Sequence, residues 1–208
     1  MAISAQVWEH LLNAGGVRTF KPGTPLLRQG EAATHVLVLV TGRVKIVLTS
    51  ADGNTLVLAI RGPREILGDM AVLGHAERSA TVIAIDPCET RRIEASRFLR
   101  LVETYRLEAD LLSHAMTRIR EGEQWRAELA QLPAGPRLAR TLVHLVAAGS
   151  WTPADVGLNQ TEVGQAAGLS RAMVAAELRH LRERGVIETG RRRITIIDMP
   201  ALRDIAGL

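Results

Sequence analysis

A cluster of arginines near the C-terminal end of the chain offers the clearest chemistry. Between residues 179 and 193 only two acidic residues occur, Glu183 and Glu188. The same stretch contains six arginines: Arg179, Arg182, Arg184, Arg191, Arg192 and Arg193. Guanidinium groups make charge-assisted, often bidentate hydrogen bonds to phosphate. Such a cluster is expected where a protein contacts a nucleic-acid backbone. The alternative is a charged face that only meets solvent.

The residues just before and within this cluster have the pattern of two short helices joined by a tight turn, over residues 159–185. Asn159 or Thr161 can cap the first helix, and Ser170 can cap the second through its hydroxyl. Gly168 lies where the turn needs a positive φ. One apolar stripe follows on the second helix: Val174, Leu178 and Leu181. This spacing is typical of a helix-turn-helix, whose second helix enters the DNA major groove. Any pair of helices in an α-helical domain is the alternative.

Residues 187–197 then indicate two short strands about a basic turn, which together form a wing. The formal net charge of +4 and the sequence pI of about 10.1 suggest an anionic partner but do not identify it. The 208 residues suffice for one large or two small domains, and 47% hydrophobic residues provide a packed core. The single cysteine, Cys88, excludes an internal disulfide or a protein-only iron–sulfur cluster.

Other classes of protein lack support in the sequence. No apolar run approaches the roughly 20 residues of a membrane span, and no N-terminal signal pattern is present, so we expect a cytoplasmic protein with no membrane contact. No nucleophile with a base, Walker loop or metal-ligand spacing is found, so we expect neither an enzyme nor a metal site.

The sequence of the N-terminal part has the pattern of a series of short strands. After an amphipathic helix at residues 2–14, short apolar runs alternate with turn residues such as Asp52-Gly53-Asn54. The runs are residues 24–28, 35–40, 43–49, 55–60, 80–85 and 89–93. Regular short strands between turn signals predict a β-roll or barrel. A helix over residues 95–103 is expected next.

A longer helix follows, over residues 107–132. Its positions step by 4 and 3 along Leu111, Ala115, Arg118, Gly122, Trp125, Leu129 and Leu132. This is a heptad seam with two imperfect sites, Arg118 and Gly122, and it predicts dimerisation. Packing of the stripe on the β domain is the alternative. Residues 133–136 are predicted to break the helix as a hinge, with further helices at 137–148 and 200–207.

The fold class predicted is therefore α+β. A jelly-roll-like N-terminal β-roll sensor domain is expected at residues 1–105. The dimerisation helix and hinge follow at residues 106–134. The winged helix-turn-helix domain is expected at residues 135–208.

One segment of the β domain carries possible ligand chemistry. Residues 67–82, with Gly68-Asp69 and then Arg78-Ser79-Ala80, resemble the phosphate-binding cassette of cyclic-nucleotide-binding domains. Together with the helix-turn-helix and wing, the order of parts resembles the Crp/Fnr family of bacterial transcription regulators. The resemblance covers nearly the whole chain, and residues 29–31 and 41–44 also fit that family's β-roll.

The resemblance implies an effector site. Gly68 and Asp69 would contact ribose and phosphate, and Arg78 with Ser79 would hold the phosphate. Gly122 and Glu123 stand where the cyclic-AMP-responsive members read adenine. Asp69 is one methylene shorter than the usual Glu, and Gly122 has no side chain. We therefore expect an anion pocket with weak or absent cyclic AMP binding, and DNA binding that does not require it.

Several alternatives remain for this site. Cyclic AMP or cyclic GMP is the candidate effector, and no resident cofactor is expected. Without a ligand, Arg78 and Asp69 would pair with each other. His75 lies near the position of a haem ligand in some relatives, but a lone loop histidine is more often a solvated surface residue.

The resemblance also implies the DNA contacts. The expected contact residues are Thr161, Ser170, Arg171, Ala172, Met173, Ala175, Arg179, Arg191, Arg192 and Arg193. Arg171 can make a bidentate hydrogen bond to guanine. The implied partners are double-stranded DNA with a pseudo-palindromic site, a second copy of the chain, and RNA polymerase. The alternative is a cyclic-nucleotide-responsive adaptor whose C-terminal module binds protein.

Overall fold

The computed structural model describes residues 5–147, 154–190 and 193–208. Its N-terminal part contains, in order, α1 (Ala5–Ala14), β1 (Gly16–Phe20), β2 (Pro25–Leu27), β3 (His35–Thr41), β4 (Val44–Thr49), β5 (Thr55–Arg61), β6 (Glu65–Leu67), α2 (Asp69–Leu73), β7 (Thr81–Ala84) and β8 (Cys88–Glu94). Its C-terminal part contains α3 (Ala95–Tyr105), α4 (Glu108–Gln131), α5 (Ala134–Ala147), β9 (Ala154–Asp155), α6 (Gln160–Ala167), α7 (Arg171–Glu183), β10 (Ile187–Gly190), β11 (Arg193–Ile196) and α8 (Met199–Ala206).

Two antiparallel four-stranded sheets form the β-roll. Their strand orders are β1-β8-β3-β6 and β2-β7-β4-β5. Leu37 and Leu39 of β3 pack against Leu27 and Val82 of the second sheet. The opposite face of β3 is covered by α1 and α3. A strand buried on both faces needs apolar residues at successive positions, which explains the continuous apolar run that begins after His35.

The C-terminal part packs helices α5–α8 against the small sheet β10-β11-β9. Leu138 of α5, Val174 of α7 and Ile194 of β11 are fully buried in one core cluster. The same cluster includes Val57 and Ile60 of β5. The helix-turn-helix region therefore shares a continuous apolar contact with the β-roll.

The mixed α+β fold with a β-roll, long helix and winged helix-turn-helix agrees with the sequence prediction. The predicted break at residues 133–136 differs from the structure, because α5 already begins at Ala134. Pro136 is accommodated since proline is tolerated in the first turn of a helix, where its missing N–H has no helical acceptor. The connection between α4 and α5 is thus limited to Leu132 and Pro133.

Candidate functional site

A cavity of about 630 Å³ lies between the β-roll, the long helix α4 and the helix-turn-helix region. Its lining includes Ile60 of β5, Gly68 before α2, Gly122 of α4, His144 of α5 and Ala166 of α6. The volume falls within the roughly 300–1,000 Å³ of small-molecule sites. An occupant of this cavity would therefore touch both parts of the protein.

The phosphate-binding cassette, residues 67–82, lies at one end of the cavity, and its Arg78 is already hydrogen-bonded to the protein backbone. Gly68 adopts a left-handed conformation with φ 82°, and a side chain there would collide with the Arg78 guanidinium. Arg78 Nη1 donates to the Gly68 carbonyl at 2.7 Å, and Nη2 donates to the carbonyl of His35. Burial lowers the pKa of Arg78, while the Glu31 and Asp69 carboxylates act in the opposite direction. Both terminal nitrogens of this arginine are thus engaged with backbone oxygens.

Asp69 pairs with the long helix instead of with the cassette arginine. This carboxylate is 2% exposed, and Arg118 Nη1 of α4 lies 3.2 Å from its Oδ1. Arg118 Nη2 donates to the Glu65 carboxylate and, at 2.9 Å, to the Ile66 carbonyl. Burial disfavours the charged form, but Asp69 and Glu65 together raise the pKa of Arg118. The alternative pairing of Asp69 with Arg78 is therefore wrong, because Arg118 satisfies this acid.

Most of the residues predicted to bind an effector meet at this cavity. Those among its lining are Gly68, Asp69, Arg78, Ser79 and Gly122. Glu123 is exposed and is not among the lining residues. Successive helical residues point in directions roughly 100° apart, so Glu123 lies on another face of α4 from Gly122. His75 is an exposed residue in the turn after α2.

The face of α4 predicted as a dimer seam is turned toward its own chain. Leu111 is buried in the core that covers the β-roll, Leu129 is also buried, and Arg118 holds the cassette acid. The other predicted seam residues, Ala115, Gly122, Trp125 and Leu132, are partly buried. The large apolar residues of α4 that remain exposed are Leu112, Met116 and Ile119. The placement differs from the prediction because Leu111 and Arg118 pack against the β-roll, while Trp125 stacks on His144 of α5.

The helix-turn-helix has the local contacts that its sequence predicts. Asn159 Oδ1 accepts hydrogen bonds from the backbone nitrogens of Thr161 and Glu162 at 3.0 and 3.1 Å. Glu162 Oε2 accepts from the Asn159 backbone nitrogen at 2.9 Å, which completes a capping box. Gly168 adopts φ 63° in the turn, and Ser170 Oγ accepts from Met173 N at 3.3 Å. Asn159, rather than Thr161, is therefore the cap of the first helix.

The predicted DNA-contacting residues that the structure describes all lie at the surface. They are Thr161, Ser170, Arg171, Ala172, Met173, Ala175, Arg179 and Arg193. Thr161, Arg171 and Arg193 line one depression between the start of α6 and the wing. Arg193 Nε also lies 2.8 Å from the Asp155 carboxylate. Arg191 and Arg192 lie outside the described residues.

A buried arginine joins the helix-turn-helix region to the β-roll. Arg43, the residue before β4, is 2% exposed, and its Nε and Nη2 donate to the two carboxylate oxygens of Asp86 at 2.7 and 3.0 Å. Its third nitrogen, Nη1, donates to the carbonyl of Leu145 in α5 at 3.1 Å and is 3.5 Å from that of Val156. One guanidinium thus contacts the acid of a β-roll turn and two backbone carbonyls of the C-terminal part.

Two further polar contacts cross the same boundary. Lys45 of β4 pairs with Glu162 of α6, and Gln165 Nε2 of α6 donates to Thr55 Oγ1 of β5 at 2.5 Å. The sequence did not predict these contacts, because the partners are more than a hundred residues apart. The sequence around a charged residue such as Arg43 or Lys45 does not indicate which distant residue it will pair with.

Comparison with known proteins agrees with both parts of the fold. Residues 17–105 match the family described as the cyclic nucleotide-binding domain, and residues 136–205 match the Crp-like helix-turn-helix domain. The chain is 28% identical over 190 residues to the cyclic AMP receptor protein of Thermus thermophilus, covering 91% of this chain and 87% of the relative. It is 25% identical over 197 residues to the cAMP-activated global transcriptional regulator CRP of Salmonella typhimurium, covering 90% and 92%.

Solved structures show the same architecture. A CRP/FNR-family transcriptional regulator from Thermus thermophilus superposes with a TM-score of 0.75 at 21% identity, over 93% of this chain and 99% of that one. The c-di-GMP responsive global regulator CLP of Xanthomonas campestris gives a TM-score of 0.72 at 23% identity, over 93% and 99%. At these identities the superpositions support the fold.

The β-roll with its cassette, the long helix and the Crp-like winged helix-turn-helix define a DNA-binding transcription regulator with a cyclic-nucleotide-binding-type domain. The chain belongs to the Crp/Fnr family. Proteins of this family regulate transcription and are not enzymes. Within the described residues no helix is long and apolar enough to cross a membrane. Nor does that part of the chain bring three histidine, cysteine or acidic side chains together as metal ligands.

Proposed function

We propose that this protein is a homodimeric regulator whose sequence-specific DNA binding is controlled by a small effector in the cavity. The observation that carries this proposal is that one cavity is lined both by the cassette and by α5 and α6 of the helix-turn-helix region. In this proposal residues 1–105 form the sensor, residues 106–134 the dimerisation helix and residues 135–208 the DNA-binding domain. The protein would act in the cytoplasm, with RNA polymerase as a further partner.

An arginine on the long helix, Arg118, also lines the cavity. Two nitrogens of its guanidinium are bonded to protein oxygens, and within the described part of the chain its buried Nε has no hydrogen-bond partner. A buried donor without a partner is unfavourable, and because this nitrogen is closed to solvent, a ligand acceptor would reach it only after neighbouring groups move. Arg78 and Ser79 line the cavity, and an anion bound there would replace backbone carbonyls as the acceptors of the Arg78 guanidinium. A nucleotide phosphate fits this donor set, and relatives are named for responses to cyclic AMP and c-di-GMP.

The dimer contact that we propose uses the exposed stripe of α4. Leu112, Met116 and Ile119 are spaced by 4 and 3, which places them on one side of the helix. Leu112 is 62% exposed and Ile119 is 50% exposed, so a second copy of α4 would remove considerable apolar area from water. Two helix-turn-helix units related by a two-fold axis would then bind half-sites about 34 Å apart.

Sedimentation of a stripe variant tests the dimer. Leu112→Glu with Met116→Glu places charges on the stripe, and we expect a monomer at micromolar concentration. The control is Thr117→Glu, which adds charge at a neighbouring exposed position of α4 outside the stripe. A wild-type monomer, or a double variant that remains a dimer, would refute the proposed contact.

Binding to a selected duplex site tests the DNA contact. Arg171 is exposed in the first turn of α7 and lines the depression at the wing. Arg171→Ala should weaken binding by about 1–3 kcal/mol, roughly 5- to 150-fold, and relax the preference at one base position. Arg203→Ala removes the same charge from α8 and should have little effect. If the two variants behave alike, Arg171 does not contact a base.

The salt dependence of the same binding separates a DNA regulator from an adaptor that binds protein. A protein that neutralises several phosphates loses affinity steeply as salt rises, because condensed counterions are released on binding. We expect a linear fall of log affinity with log salt concentration. A flat dependence with no selected site would favour the adaptor.

A further inference from the structure

An ion pair lies beside the depression between the start of α6 and the wing. Arg193, the first residue of β11, lines this depression together with Thr161 and Arg171. Its Nε lies 2.8 Å from Oδ2 of Asp155 in β9, and the two side chains are 57% and 32% exposed. Among the described residues, neither terminal nitrogen of the Arg193 guanidinium has a hydrogen-bond or ion-pair partner. Terminal guanidinium nitrogens are groups with which arginine binds a phosphate.

The register of the small sheet explains why Asp155 meets Arg193. Asp155 lies opposite Thr195 of β11, and Arg193 is two residues before Thr195 on the same face of the strand. Long side chains in this diagonal relation across antiparallel strands are within reach of each other. On the other side of β11, Arg193 lies opposite Gly190 of β10, which has no side chain to support it. In the described part of the wing, the guanidinium is therefore held from the β9 side.

The carboxylate of Asp155 is itself fixed in place. Its Oδ1 accepts a hydrogen bond from the backbone nitrogen of Gly157 at 2.9 Å. Gly157 has φ 72°, and a side chain there would collide with Ile85 of the β-roll, so this turn is closely packed. One oxygen thus fixes the carboxylate to its own turn, while the other lies at Nε of Arg193.

Asp155 has two opposite effects on a phosphate bound at the depression. Its negative charge repels the phosphate, but exposed charges interact weakly through water and salt. Asp155 is not among the residues that line the depression, so its carboxylate is farther from such a phosphate than the guanidinium is. Arginine loses considerable rotamer entropy when it is ordered, and a side chain that is ordered in advance avoids this loss on binding. We therefore expect the ordering effect to exceed the repulsion.

We propose that Asp155 is a positioning residue for DNA binding, which holds the Arg193 guanidinium so that its terminal nitrogens meet a phosphate of the DNA backbone. This inference rests on the proposed function, because it assigns a role to a residue behind the proposed contact surface. Phosphate contacts position a protein without reading the sequence, so the effect of Asp155 is the same on every duplex. The charge of Asp155 alone predicts the opposite result, since an acid beside the DNA repels it.

Binding of the full chain to a selected duplex site tests this role. Asp155→Ala should weaken binding by about 2- to 10-fold, the cost of ordering one long side chain, and leave the base preferences unchanged. Asp155→Glu retains a carboxylate within reach of Arg193 and should recover part of the loss. Asp155→Ala should also leave Tm nearly unchanged, because an exposed ion pair contributes little to stability.

Glu188→Ala is the matched control. Glu188 of β10 is exposed and lies opposite Thr195 from the other side of β11, so it has the same diagonal relation to Arg193 as Asp155 has. Among the described residues it has no ion-pair partner. Glu188→Ala removes an equal charge from the same sheet and should leave DNA binding unchanged or slightly tighter.

A double-mutant cycle shows whether Asp155 acts through Arg193. Arg193→Ala should weaken binding to all sequences alike and reduce the slope of log affinity against log salt concentration by about 1, as expected for the loss of one phosphate contact. Adding Asp155→Ala to Arg193→Ala should cause no further loss, because the side chain that Asp155 positions is gone.

Three results would overturn the positioning role. They are binding by Asp155→Ala as tight as that of the wild type or tighter, an equal loss in Glu188→Ala, and a loss that persists in the absence of Arg193. A wild-type chain that selects no duplex site would overturn the proposed function as well. Wild-type binding that Arg171→Ala weakens and Asp155→Ala does not would leave the proposed function standing and refute the role of Asp155.

Discussion

Replacing Arg43 by methionine removes the charge that joins the β-roll to the helix-turn-helix region while keeping an unbranched side chain of similar reach. Asp86, whose side chain is 15% exposed, then loses both of its guanidinium hydrogen bonds. The Leu145 carbonyl loses its side-chain donor at the same time. Breaking a buried ion pair by removing one partner costs about 3–5 kcal/mol, because the remaining charge stays buried and unpaired.

Differential scanning calorimetry of the full chain measures this change. For a protein of this size each kcal/mol corresponds to about 2–4 °C in Tm, so Arg43→Met should lower Tm by about 6–20 °C. Arg92→Met is the control, because Arg92 pairs with Glu94 at an exposed site where such pairs contribute about 0–1 kcal/mol. Arg43→Met combined with Asp86→Leu should recover part of the loss, since no unpaired charge remains. Equal Tm values for Arg43→Met and Arg92→Met would refute the reasoning.

Two further predictions concern stability. Asn159→Ala removes the acceptor for two backbone nitrogens at the start of α6 and should lower the free energy of unfolding by about 0.5–2 kcal/mol in urea titrations, whereas Asn159→Ser should retain most of it. Burial, followed by the charges of Arg92 and Arg78, lowers the pKa of His35 from 6.5 to about 4. Between these values the unfolded chain binds the additional proton, so the free energy of unfolding should fall as pH decreases from 6.5 towards 4. His35→Gln should make this fall shallower, and an unchanged pH profile would contradict the assignment.

The helix-turn-helix was predictable because its signals are local. The capping residue, the turn glycine and the apolar stripe lie within 27 residues, and each acts on its immediate neighbours. The short strand β6 was not predicted, because it has only three residues and begins two positions after Pro63. Strand β1 was not predicted either, since its residues are largely exposed and lack the alternation of a half-buried strand.

The long helix shows what periodicity alone does not determine. Its sequence carries two adjacent apolar stripes, one starting at Leu111 and the other at Leu112, and a heptad count does not tell which one the β-roll covers. Arg118 looked like an imperfect site in a seam, but it pairs with Asp69, 49 residues earlier. Only the folded arrangement distinguishes an arginine with a counter-charge from one without.

The two carboxylate oxygens of Glu162 bind different partners. Oε1 pairs with Lys45 of the β-roll, while Oε2 accepts the hydrogen bond that closes the capping box of α6. Separation of the two domains would break the first contact and leave the second intact. The first helix of the DNA-binding motif therefore keeps its end fixed whether the motif is docked or free. This independence is confined to the helix end, because the rest of the motif shares an apolar core cluster with Val57 and Ile60 of the β-roll.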